Sequence, residues 1–191
     1  MIERLLTVAK LDASTTTVPM QQIDLTELVS QVVRSADFEL QERDGAVRLS
    51  SHGQYFVQGN PDLLHSAIEN VVRNAVRYTR AGNSAFENSF EVRLDATAAG
   101  EHAFVRILVR DHGHGVPESE LLNIFQPFYR VADDRNRQTG GTGLGLAIAD
   151  RVVRIHGGTI RARNAAPHGL EVEILLPWAT QVSSQVSSPT S

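Results

Sequence analysis

The chain contains no cysteine. That removes disulfides, a cysteine-ligated zinc site and thiol catalysis from consideration, and it fits a reducing compartment. No apolar run approaches the roughly twenty residues needed to span a bilayer. No charged-then-apolar secretory signal opens the chain. The expectation is a soluble, cytoplasmic polypeptide that makes no membrane contact of its own. A basic excess is also missing. The net charge is -4, which weighs against nucleic acid as a partner and makes the local cluster Arg130, Arg135 and Arg137 stand out. What remains is ordinary: 191 residues, 41% hydrophobic and 21% charged, enough for one fair-sized domain with a core.

Periodicity gives the organisation. Ile2, Leu5, Leu6 and Ala9 share one helical face, so residues 1–13 read as the end of a longer helix. Residues 14–22, with Pro19, read as a polar hinge or linker. A helix is expected over 25–42, buried through Leu25, Leu28, Val29, Val32, Val33, Ala36 and Leu40. Strands are expected over 47–51 and 55–58. Asn60-Pro61 should start a second helix that runs to about Thr79. A polar loop over 81–88 precedes alternating strands over 90–96 and 102–110. A short helix is expected over 118–124, a mobile polar segment over 131–141, a third main helix over 144–156, and paired strands over 159–163 and 170–176. The serine-rich tail reads as disordered. This mixture predicts an α/β or α+β domain with one sheet covered by helices.

Four short motifs carry the chemistry. Asn70 and Asn74, four apart, fall on one helix face. They are either solvent-facing asparagines or a pair of hard, neutral oxygen ligands of the kind magnesium accepts. Arg77 could meet a phosphate and Tyr78 a base. Asp111 follows the apolar run FVRILV, beside Gly113 and Gly115. A strand-end carboxylate there is either part of a plain turn or an acceptor for an exocyclic amine such as that of adenine. His112 and His114 form an H-x-H pair with no third ligand evident. Phe125 and Phe128 read as core or lid-anchoring aromatics. Gly140, Gly141, Gly143 and Gly145 open a helix, where backbone N–H groups favour phosphate. The pattern matches neither the Rossmann fingerprint nor the P-loop.

In this order, the motifs resemble the ATP-binding domain of bacterial sensor histidine kinases, within the gyrase/Hsp90/histidine-kinase/MutL (GHKL) ATPase group. Residues 70–79 resemble its N box, 111–115 its G1 box, 125–130 its F box and 141–146 its G2 box. NPDLLHSAIENVVRNAVRYT, and IFQPFYR followed by GGTGLGLAIA, are most similar to envelope-stress sensor kinases of the Cpx type. The resemblance covers about residues 23–178.

It implies a two-layer α/β sandwich, a mixed sheet against three main helices, with an ATP lid between the F and G2 boxes. It implies ATP and Mg2+ as cofactors, with Asn74 the main metal ligand and Asn70 supporting. Asn70, Asn74 and Arg77 would be catalytic. Tyr78, Asp111, Gly113, Gly115, Phe128 and Arg130 would contact the nucleotide. Gly141, Thr142, Gly143, Leu144, Gly145 and Leu146 would form its phosphate end. The γ-phosphate would pass to a histidine on a separate dimerisation hairpin and from there to a response regulator.

No histidine here lies in the acceptor context of that family, a following acidic residue and then Arg/Lys-x-Pro. Residues 1–13 resemble only the last turns of the second hairpin helix. The expectation is therefore a fragment or truncated product: 14–22 a linker, 23–178 the catalytic domain, 179–191 a disordered tail. It would be inactive alone and a homodimer only with the hairpin. In a full-length kinase it would sit on the cytoplasmic side of the inner membrane. The alternative is a nucleotide-dependent regulator of the anti-sigma type from the same ATPase group, against which the hairpin remnant speaks.

Overall fold

A computed structural model of the chain describes residues 19–42, 44–79, 88–131 and 142–179. The hairpin remnant, most of the hinge, the 81–88 loop but for Asn88, the arginines Arg135 and Arg137, Gly140, Gly141 and nearly all of the tail lie outside the described residues.

The chain opens with a short strand, β1 (Gln21–Asp24), and passes into helix α1 (Leu25–Gln41). Asp24 caps that helix by accepting the Glu27 N–H at 3.1 Å. The seven stripe residues read from the sequence are the ones buried. Strands β2 (Ala46–Ser51) and β3 (Phe56–Gly59) follow, then helix α2 (Pro61–Tyr78). Asn60 caps α2 by accepting the Leu63 N–H at 3.0 Å, with Pro61 in the first turn. Strands β4 (Ser89–Ala99) and β5 (His102–Arg110), helix α3 (Gly145–Ile155), and strands β6 (Thr159–Asn164) and β7 (Leu170–Pro177) complete the order.

Five strands form one mixed sheet in the order β2-β4-β5-β7-β6, parallel at β2–β4 and antiparallel elsewhere; β1 and β3 make a separate antiparallel pair. One face of the sheet carries Phe90, Val92, Leu94, Val105, Ile107, Val109, Val172 and Ile174, all buried beneath the helices. The other face is polar. Its ion pairs include Arg106 with Asp95 at 2.8 Å and Arg163 with Glu171; where exposed to solvent, such pairs add little to stability. This is the two-layer sandwich that the resemblance implies, with three α-helices among the described residues.

Two local expectations change. The run 118–124 is not one helix but two 3-10 turns, Glu118–Glu120 and Asn123–Phe125, neither with a side-chain cap. Seven residues without a cap do not sustain α-helix propagation. In addition, Gln21 and Gln22 of the expected hinge belong to β1, because β3 supplies backbone partners.

His156 ties α3 to the start of α2. Its Nε2 accepts the Asn60 N–H at 3.0 Å, and its Nδ1 lies 2.7 Å from the Val152 carbonyl. The ring must therefore be neutral, with the proton on Nδ1. Burial holds its pKa below the usual histidine value. The unfolded chain then takes up the proton more readily. The contribution is fully present above about pH 6.5, the unfolded value, and is lost as pH falls towards the lowered folded value. Melting followed between about pH 8 and about pH 5 should show a decline that a His156→Gln variant partly lacks.

Candidate functional site

A cleft opens between α2, the loop after β5 and the start of α3. Asn70, Asn74, Arg77 and Tyr78 line it from the C-terminal half of α2. The helical step that placed Asn70 and Asn74 on one face is what turns both inward. Asn70 is a polar member of an otherwise apolar buried stripe, while Asn74 is half-buried. The Asn70 Nδ2 donates back to the Ser66 carbonyl at 2.9 Å. Its Oδ1 is left facing Gly145, where a Cβ would lie 3.1 Å away.

Asp111 sits at the far end, 3% exposed. Its Oδ1 accepts two backbone N–H groups, from Gly113 at 2.9 Å and Leu170 at 3.1 Å. This leaves Oδ2 for a ligand. Burial raises its pKa above the usual carboxylate range, and the two backbone donors oppose that rise. Gly113 is needed because a Cβ there would lie 2.8 Å from the Tyr78 carbonyl, so the loop is pressed against the end of α2. The two histidines part company. His112 is buried with Nδ1 2.9 Å from the Ser89 carbonyl. His114 is exposed, with its ring edge-on to Tyr78 at 5.5 Å.

At the opposite end, α3 begins at Gly145 with no side-chain cap. Its first N–H groups therefore lack intrahelical partners at the cleft, an arrangement that favours an anion. Thr142, Gly143, Gly145 and Leu146 line this end. Gly143 has φ 70°, and a Cβ on it would lie 2.8 Å from the Phe128 and Tyr129 backbones. The Phe128 N–H donates to the Gly143 carbonyl at 2.9 Å, joining the F and G2 segments at their bases. Arg130 lines the cleft beside Tyr129 and Val131.

Three described residues expected to touch nucleotide lie outside the cleft lining: Gly113, buried against the end of α2, Leu144 and Phe128. Leu144 is 2% exposed and turned into the core as the residue before α3. Phe128 stands 65% exposed outside the cleft lining, with φ 65°. Gly141 lies outside the described residues. Sequence reading missed Arg73, Val116, Ile124 and Leu170, which also line the cleft. Arg73 sits one turn before Arg77, so helical spacing could have found it; Leu170 has no local signal.

A family model described as histidine kinase-, DNA gyrase B- and HSP90-like ATPase matches residues 59–180. The sensor histidine kinase CpxA of Escherichia coli (strain K12) is 36% identical over 158 residues, which covers 82% of this chain and 32% of that protein. The chain spans about a third of the length of the curated relatives it matches. Among solved structures, the mycobacterial sensor histidine kinase MprB aligns with a TM-score of 0.70 at 26% identity, covering 85% of this chain and all of that one. Full-length ShkA in complex with AMPPNP aligns with a TM-score of 0.75 at 25% identity, covering 94% of this chain and 35% of that one.

Proposed function

Because the chain belongs to the histidine kinase-, DNA gyrase B- and HSP90-like ATPase family, we propose that it is the ATP-binding catalytic part of a sensor histidine kinase. It would hand the γ-phosphate of ATP to a histidine on a separate dimerisation hairpin. The observation that carries this reading is the pairing, in one cleft, of a buried carboxylate acceptor at one end with an uncapped helix N-terminus at the other. Asp111 Oδ2 takes the adenine amine. The first turn of α3 takes phosphate oxygens.

Asn74 and Asn70 line the same cleft, with Asn70 against Gly145 at the start of α3. With Asn70 Nδ2 committed to Ser66, its Oδ1 is the atom on offer. Two neutral amide oxygens with space for water and phosphate suit magnesium, and Asn74 would be the main ligand. When bound, the metal supplies charge neutralisation at the phosphates. The chain supplies the rest. Arg77 and Arg130 add positive charge along the cleft, Tyr78 and Gly115 bound the base end, and the fixed backbone holds the chain of phosphates in line. Catalysis of this kind is mostly positioning and electrostatics.

On this reading 23–178 is the catalytic domain, and 1–13 the end of the second hairpin helix. The partners are the histidine-bearing hairpin and, through it, a response regulator on the cytoplasmic side of the inner membrane. The chain alone stays unlabelled, since none of its histidines has the acceptor context.

Asn74→Ala separates binding from transfer. ATP binding should lose most of its magnesium dependence. Transfer to an added hairpin should fall by about 10²–10³-fold, the size typical of removing one group that stabilises developing charge. Calorimetry with and without magnesium, together with single-turnover transfer, checks both. Unchanged magnesium dependence would remove Asn74 from the metal site.

A further inference from the structure

The base end of the cleft is a loop with little stiffness of its own. Gly113 and Gly115 lie within it, and Gly115 has φ 73°. Yet a carboxylate can select an amine only if the opposing wall keeps the base in place. The two ends of this loop are held by two residues that face each other across the β6–β7 hairpin, Asn164 and Leu170. Leu170 holds the first end. Its carbonyl accepts the Asp111 N–H at 3.0 Å, and its N–H donates to Asp111 Oδ1 at 3.1 Å.

Asn164 holds the other end. The Val116 N–H donates to Asn164 Oδ1 at 2.9 Å, and Asn164 Nδ2 donates to the Val116 carbonyl at 2.7 Å and to Glu118 Oε1 at 3.1 Å. One amide thus engages both backbone groups of Val116, as a neighbouring strand would. The fit is close, since a Cβ on Gly115 would lie 2.7 Å from Asn164 Oδ1. Val116, Gly115 and Leu170 line the cleft, whereas Asn164 stands behind that wall.

We propose that Asn164 is a positioning residue for base recognition, fixing through Val116 the wall that holds the purine while Asp111 reads its amine. The proposal rests on the ATP reading of the cleft. An aspartate keeps the acceptor but loses the donor and sets a second carboxylate against Glu118.

The test uses ATP and its analogue purine riboside triphosphate, which lacks the 6-amino group, titrated into the whole chain and into Asn164→Ala and Asn164→Asp. The wild-type chain should prefer ATP. Asn164→Ala should lose about tenfold in ATP affinity, the order expected from one or two net hydrogen bonds. The preference for the aminated base should shrink with it, because a base no longer held against Asp111 gains less from its amine. Asn164→Asp should fall between the two and, should Asn164→Ala not fold, carries the test alone. A residue that merely supported the fold would lower the melting temperature and weaken both ligands by the same factor. An unchanged ATP preference in folded variants overturns the proposal and leaves the ATP site standing. A wild-type chain that binds neither nucleotide overturns the ATP reading and this proposal with it.

Discussion

Replacing Asp111 with asparagine should leave the fold intact and remove ATP binding. The carboxylate is almost fully buried, and Oδ1 takes both backbone donors, from Gly113 and Leu170. An asparagine can keep those two bonds through its own Oδ1. What changes is the atom facing the ligand. An acceptor becomes an NH2 donor, set against the donor amine of adenine. Losing a hydrogen bond to a charged group costs about 1.5–3 kcal/mol, or roughly 10–150-fold in affinity, before the repulsion between two donors is added.

Stability should move the other way. The folded pKa of Asp111 is raised by burial. Its contribution is therefore most favourable below the unfolded value of about 3.9 and is lost as pH rises through the folded value. At neutral pH the buried charge is a burden that Asp111→Asn does not carry. The variant should melt at the same temperature or higher near neutrality and lose that advantage in acid. For the same reason, wild-type affinity for ATP should fall as pH drops through the raised pKa, since a protonated carboxyl is a poorer acceptor. Calorimetry and thermal melting over that range measure both effects. A folded Asp111→Asn chain with full ATP affinity would sink the base-pocket assignment.

Gly169→Ala should do the greatest damage to the fold and the site together. Gly169 has φ 111°, a conformation that side chains rarely adopt. A Cβ there would lie 2.0 Å from the Asp111 carbonyl oxygen, 2.9 Å from its carbon and 3.2 Å from the His112 Cα. These are backbone atoms and cannot swing aside. Backbone strain alone costs about 1–3 kcal/mol. Separating the end of β5 from the start of β7 adds to it by breaking the Asp111–Leu170 pairing. A loss of more than about 3 kcal/mol is expected in denaturant unfolding, with a drop in ATP affinity in whatever remains folded. Gly100→Ala is the control. It also has positive φ, 63°, but nothing lies within 4 Å of its added Cβ. It should cost only about 1–2 kcal/mol and leave the nucleotide untouched. Equal effects from the two substitutions would contradict the close packing at Gly169.

The helices were readable in the sequence because burial on one face writes a 3.6-residue period, and all seven α1 core positions follow it. Asn70 and Asn74 were readable as a pair for the same reason, although which atom of Asn70 faces the cleft follows only from its bond to Ser66. β1 was hidden because four residues are too few for an alternating pattern, and their partner strand is needed to define them. Leu144 was expected at the phosphate end only through the resemblance, whereas its apolar character marks an ordered helix start, and its side chain is buried in the core. Asn164 and Leu170 left no local mark. Their partners lie 48 and 59 residues away, so only the hairpin register brings them to the base loop.

Phosphate transfer from γ-labelled ATP with magnesium tests the kinase assignment most directly. The chain would be assayed alone and then with a panel of dimeric histidine hairpins from several sensor kinases. Label is expected on at least one hairpin and none on this chain. Label on the chain by itself, or no label on any hairpin while ATP is bound, would contradict that assignment.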